Sequence, residues 1–206
     1  STPKETTPDI FSLFKHLASL NKIEGLGLFL ELSSHGLHQE RLNMLDYEKV
    51  CIANIGSDHL DYHQTQEDYE RSKLSILDLS QRSIPLVNYD VLEVIKKHKI
   101  KDYEMQTFSD MQEKGDFLFR ILPGEIDGYD VEISELEKSK SIKFNTNLFP
   151  KFNITNLCTA IVMLKNNLIK LNINKEVQNI ALPKGRNTVF KSTSKHVIID
   201  FAHNDA

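Results

Sequence analysis

Four short, almost continuously apolar runs punctuate the chain: GLGLFLEL (25–32), VCIANI (50–55), IPLVNY (84–89) and HVIID (196–200). Runs this short, bounded by polar turns, fit strands covered on both faces, which is how parallel sheets bury themselves. Between them apolar residues return at helical spacing, as in Ile10, Leu13, Phe14, Leu17 and Leu20. Further helices are expected over 66–79, 91–99, 153–171 and 177–182, and Thr7 followed by Pro8 reads as the N-cap of the first helix. From Tyr103 to Phe144 the texture changes, with FLFRIL (117–122) and YDVEIS (129–134) set between Gly and Pro turns as in an antiparallel patch. The expected fold is α/β, a mainly parallel sheet flanked by helices with a small antiparallel extension.

A net charge of −4 supplies no basic field for nucleic acid or an anionic membrane, though a local anion site stays open. Neither nucleic acid nor membrane insertion is therefore expected. The two cysteines, Cys51 and Cys158, sit inside apolar runs and read as buried thiols, not as a disulfide pair. No signal peptide and no span of about 18 apolar residues is present, so a cytoplasmic protein is expected. The chain opens on Ser and closes on VIIDFAHNDA, a strand running into a loop, and the expectation is a piece of a longer protein.

The stretch from Ser33 to His63 holds four histidines and three aspartates, a density that calls for a chemical reading. Glu31 ends one expected strand and His59 follows the next, so both fall where α/β sheets place ligand-contacting residues. A carboxylate and an imidazole brought together can hold a divalent cation, or they can be plain polar residues at strand ends. The string DHLDYH (58–63) raises a zinc hydrolase. Alternate residues of an extended loop point apart, however, and neither a helical H-x-x-x-H nor a cysteine cluster supports it. Lys73, in YERSKLSIL, lies among apolar neighbours; burial would favour its neutral, reactive amine, whereas a packed stem with a solvated charge would be inert.

Taken together, TTPD (6–9), ELSSHGLHQERL (31–42), NIGSDHLDYH (54–63), YERSK (69–73), FNITN (152–156), GR (185–186) and DFAH (200–203) resemble the Mur ligase family in order and separation. The nearest branch is the one that adds the third residue to the peptidoglycan stem peptide. The resemblance implies a central ATPase domain over 1–199, N-terminally incomplete, with 200–206 as the hinge to a further domain. It implies ATP as substrate, Mg2+ as cofactor, UDP-MurNAc-L-Ala-D-Glu and an amino acid as partners, and a monomer. Glu31 and His59 match magnesium ligands, and Lys73 matches a lysine whose carbamate would help hold a second magnesium. Thr6, Thr7, Ser33, Gln39 and Arg41 match positions that grip the UDP-MurNAc-dipeptide. Asn156 matches an adenine-reading asparagine, while Arg186, Asp200 and His203 match nucleotide contacts near the hinge.

The family's phosphate-cradling G-T-x-G-K-[ST] loop is missing, since none of the eight glycines stands in that arrangement. In the family it lies upstream of TTPD, so the fold expected here lacks the P-loop strand and the chain alone is expected to be inactive. Ser57 replaces a common Arg, Phe201 a Tyr, and Asn204–Asp205 lacks a usual Pro. Alternative readings are a non-catalytic sugar-nucleotide-binding domain, or a sister ligase of the Mur or folylpolyglutamate type.

Overall fold

The computed structural model describes residues 7–20, 27–80, 82–100, 103–111, 114–124, 128–164, 173–178, 180–183, 188–191 and 196–199. It divides into two compact units, one from Ser1–Val50, Ile55–Ile84 and Val94–Ile100, the other from Cys51–Asn54, Pro85–Glu93 and Lys101–Ala206.

In the second unit the strands follow one another across a single sheet in chain order. These are β1 (Cys51–Ile52), β2 (Leu86–Asn88), β3 (Gln106–Ser109), β4 (Phe117–Pro123), β5 (Tyr129–Glu135) and β6 (Lys140–Thr146). The first four pair in parallel, and β4, β5 and β6 continue antiparallel, which is the expected α/β sheet with its extension. Expectation and structure part at β3. It falls inside the segment read as antiparallel, yet it pairs in parallel on both sides. The short link from β3 to β4 is possible because Gly115 takes a φ of 119°, and because the Asp116 carboxylate accepts from the Thr107 N–H (2.6 Å) and hydroxyl (2.8 Å). A further antiparallel pair, β7 (Thr188–Lys191) with β8 (His196–Ile199), forms its own small sheet.

Alternation along β4 and β5 sends Phe117, Phe119, Val131 and Ile133 to one face. There they meet Phe108, whose ring stacks on Phe119 at 5.2 Å, and the Ile154, Cys158, Ile161 and Val162 stripe of α6 (Lys151–Leu164). Burial pushes the thiols of Cys51 and Cys158 up to about 12, so both free cysteines are unreactive packing groups. The helix expected at 177–182 lies earlier, as α7 (Ile173–Gln178).

The first unit is built from short helices: α1 (Ile10–Leu20), α2 (Ser34–His38), α3 (Leu60–His63) and α4 (Gln66–Leu74), which tightens into a 3-10 turn over Ser75–Leu79. Leu13, Leu37, Leu42, Tyr69, Leu74 and Leu77 are buried in it. Two expectations fail here. The cap of α1 is Asp9, not Thr7: the Asp9 carboxylate accepts from the Ser12 N–H (3.0 Å) and hydroxyl (2.6 Å). The run expected to be a buried strand at 25–32 is not one over its described part, 27–32. No strand among the described residues pairs with it, and Leu28 and Phe29 are exposed. Apolar content signals a strand only where a partner strand supplies the ladder.

Glu70 on α4 is buried yet ionised. Lys97 on α5 (Val91–Lys97) approaches it at 2.8 Å, His98 at 2.5 Å, and Gln66 donates from 3.1 Å. Burial alone would raise its pKa, but hydrogen bonds from Lys97, His98 and Gln66, with the Lys97 charge, hold it down to about 2. A depressed carboxylate stabilises the fold above its unfolded value and loses that contribution as pH falls through its folded one. Glu70→Gln is therefore expected to weaken the loss of stability as pH falls from about 4.5 to about 2, and to cost on the order of 3 kcal/mol at pH 7. Urea melts across that pH range measure both; unchanged acid sensitivity would contradict the assignment.

Candidate active site

All the residues read as cation or sugar-nucleotide contacts that the structure describes fall in the first unit. Ser33 caps α2, with its hydroxyl accepting from the Gly36 N–H at 3.1 Å. This fixes the turn that follows Glu31, whose side chain is exposed. Thr7, 1% exposed, meets the same turn from the other side. Its hydroxyl oxygen lies 2.7 Å from the Ser33 N, 3.2 Å from the Glu31 carbonyl oxygen and 3.1 Å from Ser33 Oγ. Gly36 is obligatory at this approach, because a Cβ there would stand 2.7–2.9 Å from three Thr7 side-chain atoms.

Beyond α2 runs a polar chain. Arg41 donates to Gln39 Oε1 (2.7 Å) and to the Thr7 carbonyl (3.2 Å), and Gln39 donates to the Tyr62 hydroxyl at 3.0 Å. The Tyr62 hydroxyl also lies 2.9 Å from His38 Nδ1. The histidines form a ring cluster, not a metal cage. The His35 ring meets His59 edge-on at 4.7 Å and lies against Tyr62 at 4.0 Å, and His63 packs at 5.5 Å. Burial, then the proximity of His59, lowers the pKa of His35. Among the described residues no three of His, Cys, Asp or Glu are placed to hold a metal ion.

His59 itself adopts a left-handed backbone, φ 53° and ψ 33°, an uncommon state for a residue with a Cβ. The Asp58 carboxylate helps hold it there, accepting from the His59 N–H at 2.7 Å and lying 3.3 Å from Nε2. One turn of α3 later, Thr65 caps α4 by accepting from the Asp68 N–H, and α4 carries Lys73 near its end. Lys73 is half-buried. Burial lowers its pKa, and the charges of Glu31 and Asp58 push it back up. Electrostatics therefore link Lys73 to Glu31, and through Asp58 to the residue beside His59.

The sequence suggests Asp58 only as a zinc ligand of the hydrolase reading and offers no role for Tyr62; the structure instead sets Asp58 against His59 and Tyr62 against His38 and Gln39. Both stand inside DHLDYH, and the signal available was only their place in that string. Asn156 is exposed on α6 in the second unit. Thr6, Arg186, Asp200 and His203, with the expected hinge at 200–206, lie outside the described residues.

The parallel sheet with its antiparallel extension in the second unit, and in the first unit Glu31 ahead of α2, His59 at the start of α3 and half-buried Lys73 on α4, are features of an α/β enzyme domain. Residues 2–164 match the Mur ligase middle domain, and the chain belongs to the Mur ligase family. It is 31% identical over 198 residues to UDP-N-acetylmuramoyl-L-alanyl-D-glutamate–2,6-diaminopimelate ligase of Aquifex aeolicus, covering 96% of this chain and 40% of that protein. It is 28% identical over 205 residues to the corresponding L-lysine ligase of Staphylococcus aureus, covering 96% and 41%. A solved 2,6-diaminopimelate ligase superposes with a TM-score of 0.76 at 26% identity, over 96% of this chain and 41% of that one. The MurF ligase of Thermotoga maritima in complex with ADP shares the fold, with a TM-score of 0.59 at 16% identity over 77% of this chain and 36% of that one. The chain thus spans about two fifths of the length of the curated relatives it matches.

Gly36→Ala is expected to destabilise the chain by about 1–3 kcal/mol through overpacking against Thr7, despite the better helix propensity of Ala. Thr7→Ala in the same chain should recover part of that loss. Denaturant melts of the two single variants and the double variant read the coupling; additive effects would contradict the contact.

Proposed function

We propose that the protein carrying this chain is an ATP-dependent amide ligase. It adds the third amino acid, diaminopimelate or lysine in the relatives named above, to UDP-MurNAc-L-Ala-D-Glu in peptidoglycan synthesis. The observation that carries this is Lys73, half-buried with its pKa lowered and under the charges of Glu31 and Asp58. A lysine so placed has a more available neutral amine. Its lone pair can form an N–C bond to CO2 with loss of a proton, turning a cation into an anionic oxygen donor.

The donor set suits Mg2+, which takes one or two protein ligands and leaves other positions to water and phosphate oxygens. Glu31 offers an exposed carboxylate. His59 turns one ring nitrogen toward Asp58, a pairing that orients an imidazole and leaves its other nitrogen for a cation. Mg2+ supplies charge neutralisation of crowded phosphate oxygens when bound. Thr6, Thr7, Ser33, Gln39 and Arg41 would hold the sugar nucleotide and place its terminal carboxylate in line. Arg41 serves an anionic oxygen, and its hydrogen bond to Gln39, itself held by the Tyr62 hydroxyl, keeps it aimed. Asn156, Arg186, Asp200 and His203 serve the ATP, reading adenine and ribose. The substrate carboxylate attacks the γ-phosphorus and ADP leaves. The amine of the incoming amino acid then attacks the acyl phosphate, forming the amide and releasing phosphate and a proton.

No helix among the described residues is long and apolar enough to cross a membrane. With the soluble UDP-linked substrate, this supports a cytoplasmic enzyme, which we take to be monomeric.

Expression of the complete reading frame, with phosphate release as the assay, tests the proposal. Release is expected only when ATP, UDP-MurNAc-L-Ala-D-Glu and the amino acid are all present. Lys73→Ala should lower it by about 10²–10³-fold, with partial recovery on adding short carboxylates. Full activity in Lys73→Ala would remove Lys73 from the site. Calorimetric binding of the sugar nucleotide without any ATP binding would favour a non-catalytic domain instead.

A further inference from the structure

Gln66, Glu70 and Lys73 recur at the i, i+4, i+7 spacing that puts them on one face of α4. Glu70 stands in the middle, its carboxylate met by Lys97 at 2.8 Å and His98 at 2.5 Å. That charge sets Gln66. The amide faces the carboxylate through Nε2, 3.1 Å from Glu70 Oε1, because the opposite orientation would bring two oxygens together. An amide nitrogen carries two protons, and the second goes to the Gly56 carbonyl at 2.9 Å. Hydrogen bonds to ionised acceptors are the strong ones, so the Glu70 carboxylate holds a peptide ten residues ahead of Gln66 through one amide group. Gly56 opens GSDH, the loop that leads to His59. Glycine has the most permissive backbone, and a loop that starts on one gains definition from an outside tether. Three residues later His59 takes its left-handed backbone, a state that persists only where surrounding groups hold it. The Asp58 carboxylate holds it from within the loop, and Gln66 holds the start of the loop from the helix.

We infer that Gln66 is a positioning residue for the cation site: its amide, aimed by the Glu70 carboxylate, ties the loop that presents His59 to the helix that carries Lys73. The identity of the cation rests on the ligase reading proposed above. Gln66 acts through the Gly56 peptide, with both amide protons committed to protein acceptors. The charge cluster of Glu70, Lys97 and His98 thereby serves as the fixed end of the tether as well as a source of stability.

The test uses two variants of the complete protein. Gln66→Met keeps length and helix propensity but has no N–H to give, and Gln66→Glu keeps shape but turns an acceptor toward both partners. Three readings are taken: Mn2+ affinity by electron paramagnetic resonance with a non-hydrolysable ATP analogue, sugar-nucleotide affinity by calorimetry, and hydrogen exchange at the amides of His59 and of Phe119 in β4. Gln66→Met is expected to weaken Mn2+ by about tenfold, the lower end of the range for residues supporting metal ligands. It should speed His59 exchange by about fivefold while leaving Phe119 exchange and sugar-nucleotide affinity within about twofold. Gln66→Glu should move Mn2+ affinity and His59 exchange further in the same direction. Exchange raised equally at Phe119 would mark a general loss of stability and overturn the inference. Sugar-nucleotide affinity lost with Mn2+ affinity kept would overturn it in favour of a substrate role, and unchanged readings would overturn it outright. If Gln66→Met does not fold, Gln66→Ala makes the same comparison. A wild-type protein that binds no Mn2+ with the nucleotide overturns the ligase reading, and His59 exchange then decides the tether by itself.

Discussion

A lysine held half out of water near the end of a helix is the constraint on which the rest of the first unit turns. Burial of Lys73 favours loss of its proton, and the charges of Glu31 and Asp58 favour keeping it. Burial outweighs the two carboxylates, so the pKa of the amine lies below its ordinary value, the kind of environment in which lysines enter chemistry. Removing the carboxylates would leave a buried charge without compensation, and removing the burial would leave an ordinary surface lysine.

The neighbouring backbone is shaped for the same end. His59 is held left-handed by the carboxylate of its own predecessor, and a non-glycine residue in that region usually marks a place where geometry has been bought with strain. The ring cluster of His35, Tyr62 and His63 packs against it, and the helix that follows, capped by Thr65, carries Lys73. Glu31 is reached by a different route. Its backbone is pinned by Thr7 and then by the capped turn at Ser33, so an exposed acid gains a fixed direction from buried neighbours.

Much of this could be read from the sequence, and the failures have physical causes. The parallel order of strands and the antiparallel extension followed from continuous apolar runs giving way to Gly and Pro turns. Strand β3 escaped because QTFS is short and mixed, and its parallel pairing depends on Asp116 and a positive-φ glycine that no periodicity announces. The run at 27–32 misled because apolarity reports burial potential and not the presence of a partner strand. The Thr–Pro pair points to Thr7 as a helix cap, but Asp9 supplies the cap, and the Thr7 hydroxyl serves a segment twenty-four residues away. Glu31, His59 and Lys73 were legible as candidates from their strings. What the sequence could not convey was Asp58 as the charge connecting two of them.

The central claim is that Glu31, His59 and Lys73 serve one cation site. Its most direct test is a crystal structure of the complete protein grown with Mn2+ and a non-hydrolysable ATP analogue, with anomalous scattering recorded for manganese. An anomalous peak within ligating distance of Glu31 or His59 is expected, with density for a carbamate on Lys73 Nζ facing the same site. A manganese peak remote from all three, beside a bare Lys73 amine, would contradict it.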